Sequence, residues 1–197
     1  MGKLIVLMGK SASGKDTIYK LLLADKSLKL RQLVPYTTRP RRVGEIEGEA
    51  YHFVTEEQFN ALLEKGRVIE HRSYHTIHGL WRYFTVEDEQ LDLSRHSYLL
   101  IGTLEAYVSI VRHFGQEQVV PVMVTLDDGV RLERALSRER QQEHPKYEEM
   151  CRRFLADSAD YSQEKMFAAG IKRVFENHAS ETSAVEISAY IQEQLMF

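Results

Sequence analysis

Near the start of the chain, Gly9-Lys10-Ser11-Ala12-Ser13-Gly14-Lys15-Asp16-Thr17 has the Gly-x4-Gly-Lys spacing of a loop that holds phosphate. Glycines let successive backbone N–H groups turn inward around phosphate oxygens, and the helix that follows presents its positive end to them. A lysine at the position of Lys15 reaches the β and γ phosphates of a nucleotide. The same pattern assigns Gly9, Ser11, Ser13, Gly14, Asp16 and Thr17 to the nucleotide site. A Ser or Thr normally follows the lysine and holds Mg²⁺ through its hydroxyl, but Asp16 stands there, with Thr17 next. Two readings of Asp16 stay open: a carboxylate that holds Mg²⁺ through water, and an acidic residue that merely suits a helix start.

A second anion-binding pattern lies at Thr37-Thr38-Arg39-Pro40-Arg41-Arg42-Val43-Gly44-Glu45, closed by Gly48 and Tyr51. Arginine offers a planar, two-pronged donor that matches phosphate, and a tyrosyl hydroxyl adds another. Glu45, Glu47 and Glu49 follow at once, which argues against a nucleic-acid patch and leaves a phosphate clamp or a solvated basic turn.

Both patterns need elements to position them. Leu4 to Met8 is an unbroken apolar run ended by glycine, the mark of a strand buried on both faces and so of a parallel sheet. Tyr98–Ile101 and Val119–Val124 repeat it, with Arg173–Glu176 a weaker fourth run. Pro121 predicts that its strand starts late or lies near an edge. Helices are predicted between these strands. Ile18, Leu21 and Leu22 follow the loop; Thr55 and Gln58 form a capping box before a helix that stops at Gly66; Ser183 and Glu186 open the last one. From about 37 to 92 the pattern changes to short aromatic pieces, with Trp81, Tyr83 and Phe84 read as a local core. That segment is predicted to be a small α+β lobe inserted in a core of 1–36 and 93–197. Residues 127 to 168 read as a charged helical flap carrying Arg131, Arg134, Arg138, Arg140, Arg152 and Arg153.

The chain has 197 residues, 43% hydrophobic and 28% charged, which suits one folded unit and excludes disorder. Its 26 Lys and Arg against 29 Asp and Glu give a net charge of −3, with no global attraction to nucleic acid or an anionic membrane. Any anion site is local. The apolar run at the start is too short for a signal segment or a span, and Cys151 has no disulfide partner, so a cytoplasmic location is expected. Cys151 is read as a packed small residue rather than a nucleophile.

Taken together, the sequence resembles the guanylate kinase family. The likeness rests on the phosphate loop, Thr37-Thr38-Arg39-x-x-Arg42-x-Gly44-Glu45, Gly48-x-x-Tyr51-His52-Phe53-Val54, the helix ending at Gly66, and Glu70. What the resemblance implies is an α/β P-loop kinase: a parallel sheet flanked by helices, an inserted acceptor lobe and a helical lid at about 134–153. ATP with Mg²⁺ is the implied donor and GMP the implied acceptor, in purine nucleotide metabolism. Lys15, Arg138 and Arg153 take the catalytic roles, and Asn177 the adenine side. Arg39, Arg42, Tyr51, Glu70, His78 and Gly79 take the acceptor. The resemblance implies no nucleic-acid or membrane partner and leaves oligomeric state open.

The departures fall mainly on base reading. Pro35 replaces a serine, His78-Gly79-Leu80 replaces Tyr-Gly-Ser/Thr, and Ile101-Gly102-Thr103 replaces an aspartate-rich strand end. Leu80 has no hydrogen bond to give, and unmet polar contacts set strong discrimination. Gly-Lys-Asp also resembles the loop of ribose 1,5-bisphosphate kinases. The alternatives to GMP are therefore another phosphorylated acceptor, or a catalytically silent binding module.

Overall fold

A computed structural model describes residues 1–42, 44–76 and 79–196. In chain order the elements are β1 (Leu4–Met8), α1 (Lys15–Ala24), β2 (Leu30–Gln32), β3 (Tyr36–Thr37), β4 (His52–Phe53), α2 (Glu56–Glu64), β5 (Val68–Thr76) and β6 (Gly79–Val86). After these come β7 (Ser97–Ile101), α3 (Leu104–Phe114), β8 (Val119–Thr125), α4 (Asp128–Arg140), α5 (Tyr147–Asp160), α6 (Gln163–Ala168), β9 (Val174–Glu176) and α7 (Ser180–Leu195).

The apolar run at Leu4–Met8 forms β1, and all five of its side chains are fully buried. It lies at the centre of a parallel five-stranded sheet in the order β2-β7-β1-β8-β9. Alternate residues serve opposite faces. Leu4, Val6 and Met8 pack with Tyr107 and Ile110 of α3, while Ile5 and Leu7 pack with Ile18 and Leu22 of α1 and Ile187 and Ile191 of α7. Side chains needed on both faces explain why the strand has no polar alternation.

The strand holding Pro121 does not start late: β8 begins at Val119 and pairs with β1 from there to Met123. Pro121 is tolerated because β9 pairs only with Met123, Val124 and Thr125, so among the described residues β8 is locally an edge there. The last helix also starts earlier than expected, at Ser180. Ser183 sits inside it, buried, its hydroxyl donating to the Glu176 carbonyl rather than capping.

Beside this sheet lies a second one, built from residues 36–86 in the order β4-β3-β6-β5. The capping box forms as read, with Thr55 Oγ1 accepting from Gln58 N and the Gln58 side chain accepting from Thr55 N. It starts α2 so that Phe59 packs on Phe84 and Val86. Trp81 and Tyr83 are only half-buried, so Phe84 alone of that aromatic trio belongs to the core. A bulge after Val68 adds one residue to β5: Ile69 packs against the main core while Glu70 is brought opposite Thr85. Helix α3 packs on β5, which joins the two sheets at the point where Glu70 emerges.

The charged segment after 127 forms α4, α5 and α6. Its arginines are not one solvated face, since Arg131 is 1% exposed while Arg134, Arg138, Arg152 and Arg153 are exposed. Cys151, expected to be packed, is exposed on α5. No helix among the described residues is long and apolar enough to cross a membrane.

Candidate active site

The phosphate loop joins β1 to α1 and turns at two left-handed positions, Ala12 at φ 62° and Gly14 at φ 86°. A side chain on Gly14 would also meet Asn177 Nδ2 at 2.2 Å, so both conformation and space require glycine there. Gly9 is a close approach: a Cβ would stand 2.6 Å from the Val124 carbonyl. Ser13 is buried inside the loop, and its hydroxyl has no hydrogen-bond partner. Thr17 and Ile18 donate their N–H groups to the Gly14 carbonyl, which begins α1 directly behind the loop. Lys15 is partly exposed and, among the described residues, forms no ion pair. Asp16 and Thr17 are exposed in the first turn. A carboxylate and a hydroxyl beside a phosphate loop are hard oxygen donors, the kind Mg²⁺ takes, so the donor set fits the ion.

Asn177 follows β9 and lies beneath the loop, fully buried. Its Nδ2 donates to the Ser13 carbonyl at 2.7 Å and to Ser180 Oγ at 3.4 Å. This contact differs from the adenine contact that the family resemblance implies. Arg138 and Arg153 line one cavity of about 130 Å³ together with Ser11, Lys146, Glu149 and Phe154, so both arginines stand near the loop. Glu149 ties two of the guanidinia, accepting from Arg152 and from Arg153, each at 2.7 Å. These bonds, that from Arg152 foremost, pull the Glu149 carboxyl from its ordinary 4.5 down to about 2.

In the acceptor cluster Arg39 is buried at 3% exposure. Its two terminal nitrogens donate to Glu45 at 3.0 and 2.8 Å, while its Nε has no partner. The Arg39 bonds hold the Glu45 carboxyl below its ordinary range. Tyr51 lies beside Arg39, whose guanidinium carbon is 5.5 Å from the tyrosine ring centre. Arg42 joins through its backbone N–H, which donates to Glu45 Oε2 at 2.7 Å, and its side chain is exposed. Gly79 opens β6, and His78 lies outside the described residues.

Glu70 is buried. Oε1 accepts from Thr85 Oγ1 at 2.8 Å, and Oε2 has no hydrogen bond but faces Arg72 Nε at 3.5 Å. Arg72 Nη1 donates in turn to Thr103 Oγ1 at 3.2 Å, which ties the second sheet to the strand end of the main one. Arg72 is also near enough to lower the pKa values of both Tyr51 and Tyr161, although burial keeps both tyrosines raised, Tyr161 to about 12. Arg72 therefore links Glu70 to the Thr103 end of the main sheet. The sequence reading missed Arg72, and the usable signal was its i+2 spacing from Glu70 on one strand face. It took Arg131 only as one arginine of a charged flap and missed Asp157; both bond to Ser11.

A glycine-lysine loop at the head of a parallel sheet, with a second sheet mounted beside it, defines the class as a P-loop kinase fold. Residues 1–89 match the family model described as Guanylate kinase. The guanylate kinase of Mycoplasma mobile is 48% identical over 69 residues, 35% of this chain and 34% of that protein. That of Brucella melitensis is 40% identical over 74 residues, 38% of this chain and 34% of that protein. The chain thus spans about a third of the length of the curated relatives it matches. The crystal structure of guanylate kinase from Anaplasma phagocytophilum aligns with all of this chain and 87% of its own, at a TM-score of 0.71 and 22% identity. Residues 1–89 are thus similar to the guanylate kinases, and along its whole length the chain has the fold of a guanylate kinase.

Proposed function

We propose that this protein transfers the γ-phosphoryl group of ATP to GMP, forming ADP and GDP. The observation that carries the reading is Lys15, a cation at the phosphate loop without a counter-ion among the described residues, in a chain that places Arg39 and Tyr51 together between β3 and β4. A phosphate oxygen of GMP attacks the γ-phosphorus, and the bond from that phosphorus to the oxygen of ADP breaks. The acceptor is already anionic, so the task is to align two repelling anions and neutralise them.

Each group has a part in this. The loop amides, Ser11, Ser13 and Lys15 hold the ATP phosphates, Gly9 and Gly14 allow the turn, and Asn177 fixes the loop from below. Arg138 and Arg153 face the transferring group, and Arg39, Arg42 and Tyr51 hold the acceptor phosphate. Arg39 reaches it by exchanging Glu45 for that phosphate. Glu70, with Gly79 and His78 nearby in sequence, lies on the side of the base. Asp16 and Thr17 would hold Mg²⁺, directly or through water. Bound there, the ion would offset the charge of the phosphates.

A second reading keeps the chemistry and changes the acceptor. It is favoured by Leu80 and Pro35, which lack a donor, and by Arg72, which already faces the Glu70 carboxylate. ADP release with Mg-ATP against GMP, dGMP, IMP, AMP, CMP, UMP and ribose 1,5-bisphosphate tests both readings. Turnover confined to GMP and dGMP supports the first, and turnover only with another acceptor replaces it. No turnover with any acceptor leaves a binding module.

A further inference from the structure

Arg131 lies on α4 outside the groups assigned above, yet it is among the largest fully buried side chains. All three of its nitrogens are used. Nε donates to the Ser11 carbonyl at 3.0 Å, Nη1 pairs with Asp128, and Nη2 donates to Asp157 Oδ2 at 3.3 Å. The Phe154 ring covers the guanidinium at 4.9 Å. The same Asp157 oxygen accepts the Ser11 N–H at 2.7 Å. Both backbone groups of Ser11 are therefore bonded to α4 and α5. Lys10 adds a third tie, donating to Asp128 at 3.2 Å.

This arrangement differs from a flap held by exposed pairs, which contribute little. Pulling α4 and α5 away from the loop would strip a buried guanidinium of its partners, and an uncompensated buried charge is expensive. Arg138 lies seven residues after Arg131 on α4, and Arg153 lies four before Asp157 on α5, so each stands one or two helical turns from its anchor. The cavity that both arginines share with Ser11 is set by that clamp.

We propose that Arg131 and Asp157 are positioning residues: through Ser11 they keep α4 and α5 docked on the phosphate loop without nucleotide, so that Arg138 and Arg153 stand at its mouth before ATP arrives. The kinetic consequence rests on the kinase reading above, whereas the docking does not.

The test uses the full chain as R131K, R131A, D157N and the R131K/D157N double variant. Amide hydrogen exchange of the ligand-free protein is followed in peptides covering 9–14 and 147–160, alongside ADP release. In R131K and D157N both peptides lose protection together, and kcat falls between tenfold and a hundredfold, as expected for misplaced charge-stabilising groups, while acceptor KM moves less than about twofold. The double variant is no worse than the worse single, and guanidine restores turnover to R131A. Unchanged exchange in both single variants overturns the docking. Multiplied losses in the double, or a rise in acceptor KM that accounts for the whole loss, overturns the positioning role. If R131K does not fold, D157N decides, since it leaves Arg131 bonded to Ser11 and Asp128. If the wild type turns over no acceptor, the kinase reading fails and exchange alone decides whether the helices are docked.

Discussion

The side-chain amide of Asn177 donates to the Ser13 carbonyl at 2.7 Å from a fully buried position, so the end of β9 supports the phosphate loop 164 residues earlier in the chain. Removing it leaves a buried carbonyl without its partner. Asn177→Ala is expected to destabilise the fold by about 1–3 kcal/mol and to raise the KM for ATP, leaving the acceptor KM near its original value. Denaturant unfolding and steady-state kinetics check this. A mainly acceptor-side effect would contradict it.

Lys15 makes no ion pair among the described residues, so nothing in the fold depends on its charge. Lys15→Met should lower kcat by about 10²–10³-fold, the usual loss when one stabilising contact to the transition state is removed. The melting temperature should stay within about 2 °C, a shift that corresponds to no more than about 1 kcal/mol for a domain of this size. Unchanged turnover would defeat the proposed mechanism.

Leu80 offers no donor where the family resemblance implies a hydroxyl. Leu80→Ser supplies one, and a new hydrogen bond contributes about 0.5–1.5 kcal/mol. The ratio of kcat/KM for GMP to that for AMP should therefore rise by up to about tenfold. Competition assays with both nucleotides read it directly, and an unchanged ratio would move the base away from β6.

Glu149 gives a pH signature. Its carboxyl is held at about 2 against an ordinary 4.5, first by Arg152 and then by Arg153. A lowered folded-state pKa means that the contribution is fully present above 4.5 and is lost as pH falls towards 2. The group is largely exposed, so solvent screening keeps the effect below about 1 kcal/mol. Between pH 6 and pH 3 the urea midpoint of Glu149→Gln should fall less than that of the wild type. Parallel curves would show that the pairs contribute nothing.

Local signals were the legible ones. The β1 run is buried on both faces and therefore apolar throughout, and Thr55 with Gln58 caps α2 through bonds only three residues apart. The arginines of α4 and α5 could not be sorted that way. Arg131 differs from Arg134 because Ser11 and Asp157 lie 120 and 26 residues away, and such partners leave no mark on local spacing. Pro121 allowed two readings, a late start or an edge, and the edge is the one that holds; which of them applies depends on how short β9 is, not on β8. Glu70 was singled out by its motif, whereas Arg72 becomes visible only when β5 is set against Thr103.

Thr103 serves two structures through one oxygen. Its hydroxyl accepts the Ala106 N–H at 3.2 Å, capping α3, and also accepts from Arg72. Threonine and aspartate are both good helix N-caps. The residue can therefore change charge at the heart of the cleft while the helix keeps its start. Cap and charge are thereby separable at this one position: an aspartate there would keep the start of α3 and place a negative charge against Arg72.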